Sequence, residues 1–233
     1  LSPPPGEYGR KAEIPRPPIS LWRSLNKPSP ELLYLLAALR DGSVYYDKAA
    51  RNYVVAFYQK SREWLERTLK PMITIAFHKK PMIDEYKPGH YRLRIYSKNV
   101  YDLIKRVYGF PEDRCGQAFW GVPEKLRSLN PEDLIPFIRG FFDAEGDVGL
   151  SEKSPYIGFS QKNREVLLFL KENLERLGIK TGDIHLIDSR SHTYRFVIAS
   201  KEGLKRFIKL IGSLHPEKIV KLHRLGRILG QQT

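Results

Sequence analysis

Two apolar runs of helical length, residues 33–42 (LYLLAALRDG) and 137–146 (FIRGFFDAEG), each end in a carboxylate followed at once by glycine. Glycine directly after a helical run is the usual stop, which puts Asp41 and Glu145 at helix tips rather than along helix sides. An acid there meets the negative end of the helix macrodipole and needs compensation. If the two runs pack through their apolar faces, both carboxylates reach one point, where each raises the pKa of the other unless a cation lies between them. A hard divalent ion that takes oxygen ligands suits such a pair. The plainer alternative is two unrelated helix ends carrying surface acids.

The flanking pattern supplies the other elements. Ser29-Pro30-Glu31 reads as an N-cap with proline at the first helical position, and Asn130-Pro131-Glu132 repeats it before the second run. Pro136 inside that run predicts a kink or a late start. The alternating stretch 43–58, rich in Val, Tyr and Phe and broken at 48–52, predicts a β-hairpin. Amphipathic spacing then predicts a helix over 59–69, a strand over 91–96 and a helix over 99–108. The same order returns with a hairpin over 148–160, a helix over 162–177, strands over 184–188 and 194–199 and a helix over 202–211, before a closing helix over 216–229.

The recurrence is also one of letters. FYQKSREWL (57–65) matches FSQKNREVL (159–167), and YRLRIYSKN (91–99) matches YRFVIASKE (194–202), at nearly the offset that separates Asp41 from Glu145. The expectation is an α+β protein made of a pseudo-two-fold pair of αββαββα repeats, with antiparallel sheets flanking a central two-helix interface. Its divisions are a Pro-rich arm (1–28) with a short helix at 20–25, a first repeat (29–109), a linker (110–129) and a second repeat with the closing helix (130–233).

Charge narrows the partner. The 233 residues carry a net charge of +14, spread among apolar and aromatic positions rather than in a tail, which points to a polyanion, nucleic acid above all. A single cysteine, Cys115, excludes an intramolecular disulfide and a Cys-rich zinc site. No apolar run approaches the roughly 18 residues of a membrane span, and no signal peptide opens the chain. The expected location is therefore intracellular, in the cytoplasm or nucleoid of a prokaryote or in an organelle.

On these motifs the chain resembles the LAGLIDADG homing endonucleases of the monomeric, two-repeat kind, over residues 30–229. IRGFFDAEG (138–146) matches the family motif well; YLLAALRDG (34–42) departs from it, with Leu36 at a usually small position and Leu39 and Arg40 replacing an acid and a small residue. The resemblance implies a site-specific double-strand DNA endonuclease, intron-encoded, acting as a monomer on a long, imperfectly palindromic duplex. It implies that Asp41 and Glu145 bind Mg²⁺ and activate water, with Mn²⁺ or Ca²⁺ able to substitute in binding, and that the backbone carbonyls of Arg40 and Ala144 assist. Gln59 and Gln161 match positions that orient the water network. A lysine late in the second repeat supports catalysis in this family by stabilising developing charge; Lys218 is the candidate and Lys221 its rival, with Asp113 or Arg114 the first-repeat counterpart.

Strand alternation selects the DNA-facing residues. With Tyr53, Val55 and Phe57 on the core face, Asn52, Val54, Ala56 and Tyr58 point the other way, as do Arg92, Arg94 and Tyr96 opposite Leu93 and Ile95. The same phase turns Tyr156, Ser160 and Arg195 outward in the second repeat, and Tyr45 and Lys153 complete the set. Such donors and acceptors can distinguish base pairs in a major groove. An RNA maturase and a non-catalytic DNA-binding regulator on the same fold are the rivals, against which the retention of both acids favours cleavage. An intein-embedded nuclease is disfavoured, because the chain has no nucleophile at its start and no His-Asn pair at its end.

Overall fold

The structure, a computed structural model, describes residues 27–110 and 120–231. The expected helix at 20–25 and nearly all of the arm lie outside the described residues, as do Asp113, Arg114 and Cys115.

Helix α1 (Pro30–Ala38) begins as its sequence dictates, with the Ser29 side chain accepting a hydrogen bond from the Leu32 amide. It tightens into a 3₁₀ turn (Leu39–Asp41) and runs directly into strand β1 (Gly42–Asp47), which pairs with β2 (Asn52–Gln59). A helical stretch follows in three parts: α2 (Arg62–Trp64), a π turn (Leu65–Leu69) and α3 (Lys70–Phe77). The expected helix over 59–69 is thus displaced. Gln59 closes a strand, Ser61 is the cap, and the helix continues through Pro71 because the π turn ends just before it and Pro71 falls in the first turn of α3. Strands β3 (Met82–Lys87) and β4 (His90–Tyr96) and helix α4 (Lys98–Asp102), extended by a π turn (Leu103–Val107), complete the first repeat.

After a short helix α5 (Glu124–Arg127), the second acid-tipped helix α6 spans Ile135–Glu145. Pro136 produces a late start and not a kink, since in the first turn its missing N–H is not needed. Strands β5 (Gly146–Gly149) and β6 (Tyr156–Gln161), helix α7 (Arg164–Arg176), strands β7 (His185–Asp188) and β8 (Thr193–Ile198), helix α8 (Lys201–Leu210) and helix α9 (Pro216–Gln231) follow in the expected order.

The two antiparallel sheets have the same strand order, β1-β2-β4-β3 and β5-β6-β8-β7. Their inner rows, Val55, Phe57, Leu93 and Ile95 in one and Ile157, Phe159, Phe196 and Ile198 in the other, are buried in one continuous core with the helices. Between the sheets α1 and α6 pack against each other, and they come close at Gly140, where a methyl group would overlap the Tyr34 carbonyl. The family-like small residue is needed on only one helix, so Leu36 in the other does not keep them apart.

Candidate active site and nucleic-acid interface

The pairing of α1 and α6 brings Asp41 and Glu145 into one neighbourhood. Both are half-buried and each has its pKa pushed above the usual carboxylate range, chiefly by desolvation, with the charge of Asp41 a further cause for Glu145. Gln59 Nε2 donates to Asp41 Oδ2 at 2.6 Å. Its repeat partner behaves differently: the Gln161 oxygen accepts from the Lys162 amide at 2.7 Å, and its Nε2, though close enough to lower the pKa of Glu145, makes no direct hydrogen bond.

Lys218, in the first turn of α9, reaches the end of α6 and donates to the carbonyls of Phe142 at 2.6 Å and Asp143 at 2.8 Å. Burial pulls its pKa down to about 8, opposed by Asp143, Asp41 and Glu145, so it remains mostly protonated at neutral pH. Lys221 is exposed on the same helix. Arg40 contributes a second cation that sequence reasoning had valued only for its backbone. Its side chain is fully buried, its guanidinium lies 3.8 Å from the centre of the Trp120 ring, and it donates to the Trp120 carbonyl. Burial lowers its pKa to about 9, while Glu145 supports its charge. Trp120 also accepts from Asn163 Nδ2 at 2.9 Å and donates through its indole to the Tyr108 carbonyl at 2.9 Å, tying both repeats to one residue.

Behind the acids lies a buried polar network absent from the sequence reading. Asp143 accepts from the Tyr34 hydroxyl at 2.6 Å, the Leu214 amide at 2.8 Å and the Ser213 hydroxyl, and Tyr34 in turn accepts from the Trp64 indole at 2.9 Å. Trp64 packs against His215, which burial holds near pKa 4 and hence neutral. A cavity of about 490 Å³ opens beside Asp41, with Gln59, Tyr58, Tyr86, His90 and His215 among its lining.

Among the described residues no group of three or more His, Cys, Asp or Glu side chains could hold a metal. The pair Asp41 and Glu145 nevertheless fits a hard cation: both half-buried carboxylates have raised proton affinity, Glu145 in part through the charge of Asp41, and the last carbonyls of a helix, here including Ala144, lack intrahelical partners.

Of the expected DNA-facing residues, Arg92, Arg94 and Tyr96 stand on the outer face of the first sheet, and Tyr156, Ser160 and Arg195 on that of the second. Tyr45 and Tyr58 are half-buried there, the latter within hydrogen-bond distance of Ser43, while Asn52 begins its strand and Lys153 lies exposed in the β5–β6 loop. Val54 and Ala56, expected outward, are instead buried, because the longer side chains of neighbouring strands cover such short ones. Each sheet's arginines carry an acid that the strand alternation did not reveal: Asp84 for Arg92 and Arg94, Asp147 for Arg195.

Residues 132–212 match the family described as LAGLIDADG-like domain. The chain is 36% identical over 200 residues to homing endonuclease I-ApeI of Aeropyrum pernix, covering 85% of this chain and 88% of that protein. It is 28% identical over 190 residues to homing endonuclease I-DmoI of Desulfurococcus mucosus, covering 78% and 87%. A crystal structure of I-DmoI in complex with DNA and Mn matches with a TM-score of 0.60 at 25% identity, over 80% of this chain and 98% of that one.

Proposed function

The chain belongs to the LAGLIDADG homing endonuclease family, and from that membership we propose that it is a monomeric, intron-encoded, site-specific endonuclease that hydrolyses both strands of a long, imperfectly palindromic DNA duplex. The observation that carries the reading is the meeting of two half-buried acids, Asp41 and Glu145, at the ends of adjoining helices, in a fold whose two sheets carry arginines on their outer faces. Crystal structures of I-DmoI with DNA and Mg, Mn or Ca support a divalent cation as cofactor. Asp41 and Glu145, with the carbonyls of Arg40 and Ala144, would hold it, and it would supply Lewis-acid activation of water and neutralise charge on the scissile phosphate.

The chain's own residues do the rest. Asp41 and Glu145 would hold the cation in their ionised forms. Gln59 fixes the Asp41 carboxylate in one orientation through its 2.6 Å hydrogen bond. Lys218 is anchored by two carbonyls with its ammonium near both acids, where it can stabilise charge developing on phosphate oxygens. The two sheets hold the duplex on either side, through Tyr45, Asn52, Tyr58, Arg92, Arg94 and Tyr96 in the first and Lys153, Tyr156, Ser160 and Arg195 in the second. Retention of both acids favours cleavage over a purely binding or RNA-splicing role on this fold.

The test incubates a library of duplexes, including intron-insertion junctions, with Mg²⁺ and either the wild type, Asp41→Asn or Glu145→Gln. Discrete double-strand cuts are expected from the wild type, and nicking or no cutting from the variants while binding persists. Tight binding without cutting in Mg²⁺ or Mn²⁺ would remove the endonuclease reading in favour of a regulator.

A further inference from the structure

Among the side chains that the proposed cleavage does not use, Asp84 stands out by position. It lies on the edge strand β3, in register with Arg92 of β4, on the face that carries the outward arginines. Its carboxylate accepts from Arg92 Nε and Nη2 at 3.2 and 2.7 Å and from Arg94 Nη2 at 2.9 Å, so one acid grips two guanidinium groups. All three side chains keep between 22% and 33% of their surface exposed, a setting in which an ion pair adds little to folding stability. An acid on a face meant for a polyanion also repels phosphate. Stability and affinity therefore leave it unexplained, whereas orientation explains it. A guanidinium has a planar fork of donors, and engaging one edge on a carboxylate fixes the plane and aims the remaining donors. Ordering a side chain beforehand removes that cost from binding.

The second repeat supports this independently. Arg195 occupies the register position of Arg92, opposite Ser160 where Arg92 is opposite Tyr58, and it too is held by an acid. That acid is Asp147 of β5, which accepts from Arg195 Nη2 at 2.9 and 2.8 Å across the intervening strand β6, on the same face of the sheet. The pair crosses above Gly158, where a methyl carbon would lie 2.5 Å from Asp147 Oδ1. Equivalent arginines are thus turned in opposite directions, one toward the outer edge strand and one toward the strand that leaves the acid-tipped helix.

Resting on the endonuclease reading, we infer that Asp84 is a specificity-determining positioning residue. It fixes Arg92 and Arg94 as one donor array for guanine edges in the half-site under the first sheet, and it penalises binding to duplexes that lack them.

The experiment measures binding in Ca²⁺ of the full chain to its cleaved duplex, to all single-base variants of the first half-site and to random duplex, at several salt concentrations. Wild type, Asp84→Asn, Asp84→Glu and Arg92→Lys are compared, with melting temperature as the folding control. Asp84→Asn should lose about tenfold discrimination at one or more guanine positions, bind random duplex more tightly and show a steeper salt slope. Asp84→Glu should restore part of the discrimination, and Arg92→Lys should lose it without the gain in random binding. Equal discrimination by wild type and Asp84→Asn at every position overturns this inference alone. A wild type that prefers no duplex overturns the endonuclease reading, and this inference with it.

Discussion

Replacing Gly140 with alanine is the sharpest probe of the helix pair that carries the two acids. The added methyl would overlap Tyr34 O and lie 3.0 Å from Tyr34 C and Cα, all backbone atoms that cannot rotate away, so α1 and α6 would have to separate. Overpacking of this kind costs about 1–3 kcal/mol, against which alanine in a helix recovers roughly 0.5–1 kcal/mol relative to glycine. The net expectation is a loss of up to about 2.5 kcal/mol, a fall in Tm of up to about 10 °C for a chain of this size. Gly226 in α9 supplies the contrast: it is exposed and a methyl there meets no atom within 4 Å, so Gly226→Ala should gain roughly 0.5–1 kcal/mol by propensity alone. Urea denaturation and scanning calorimetry read both. Because separation of the helices also moves Asp41 from Glu145, Gly140→Ala should lose Ca²⁺ affinity as well, measured by titration calorimetry. A Gly140→Ala protein as stable as Gly226→Ala, with Ca²⁺ binding intact, would refute the close helix approach.

Two further outcomes follow from the site. Since Gln59 bonds Asp41 directly and Gln161 is turned to a backbone amide, Gln59→Ala should reduce metal affinity or cleavage by about 10–100-fold and Gln161→Ala by markedly less; strand-resolved nicking assays would contradict this by showing equal losses. Asp41 and Glu145 titrate higher folded than the roughly pH 4 of unfolded carboxylates. The metal-free fold therefore loses their contribution as pH rises through the raised values, whereas the cation needs the ionised forms. The increase in Tm caused by Ca²⁺ should accordingly be small near pH 5 and grow toward pH 8; a pH-independent increase counts against metal binding at this pair.

Features written in local spacing were legible from the sequence. Two acids before glycine, capped helix starts and letters repeated at a steady offset led to the helix pair, the two sheets and the outward arginines. Features that depend on a distant partner were hidden. Strand β3 carries Asp84, Glu85 and Lys87 among its six residues, which masks its alternation, and only the sheet reveals that Asp84 faces two arginines. Pro71 reads as a helix stop unless the preceding π turn is known. Arg40 looked like a departure from a motif until Trp120, far along the chain, provided the surface it stacks on.

The Tyr34–Asp143 hydrogen bond bears on how this chain could evolve or be recombined. It joins the motif helix of one repeat to that of the other, and it is embedded in contacts from Trp64 on one side and Ser213 and Leu214 on the other. Pseudo-symmetry does not duplicate it: aligning Asp41 with Glu145 puts Leu39 at the place of Asp143 and Ile138 at that of Tyr34. Neither half can therefore rebuild the seam by pairing with a second copy of itself. A chimera that swaps halves with a relative to acquire a new target must keep Tyr34 and Asp143 together, because Asp143 without Tyr34 would be a buried acid that retains Ser213 and Leu214 but has lost its donor from the other half.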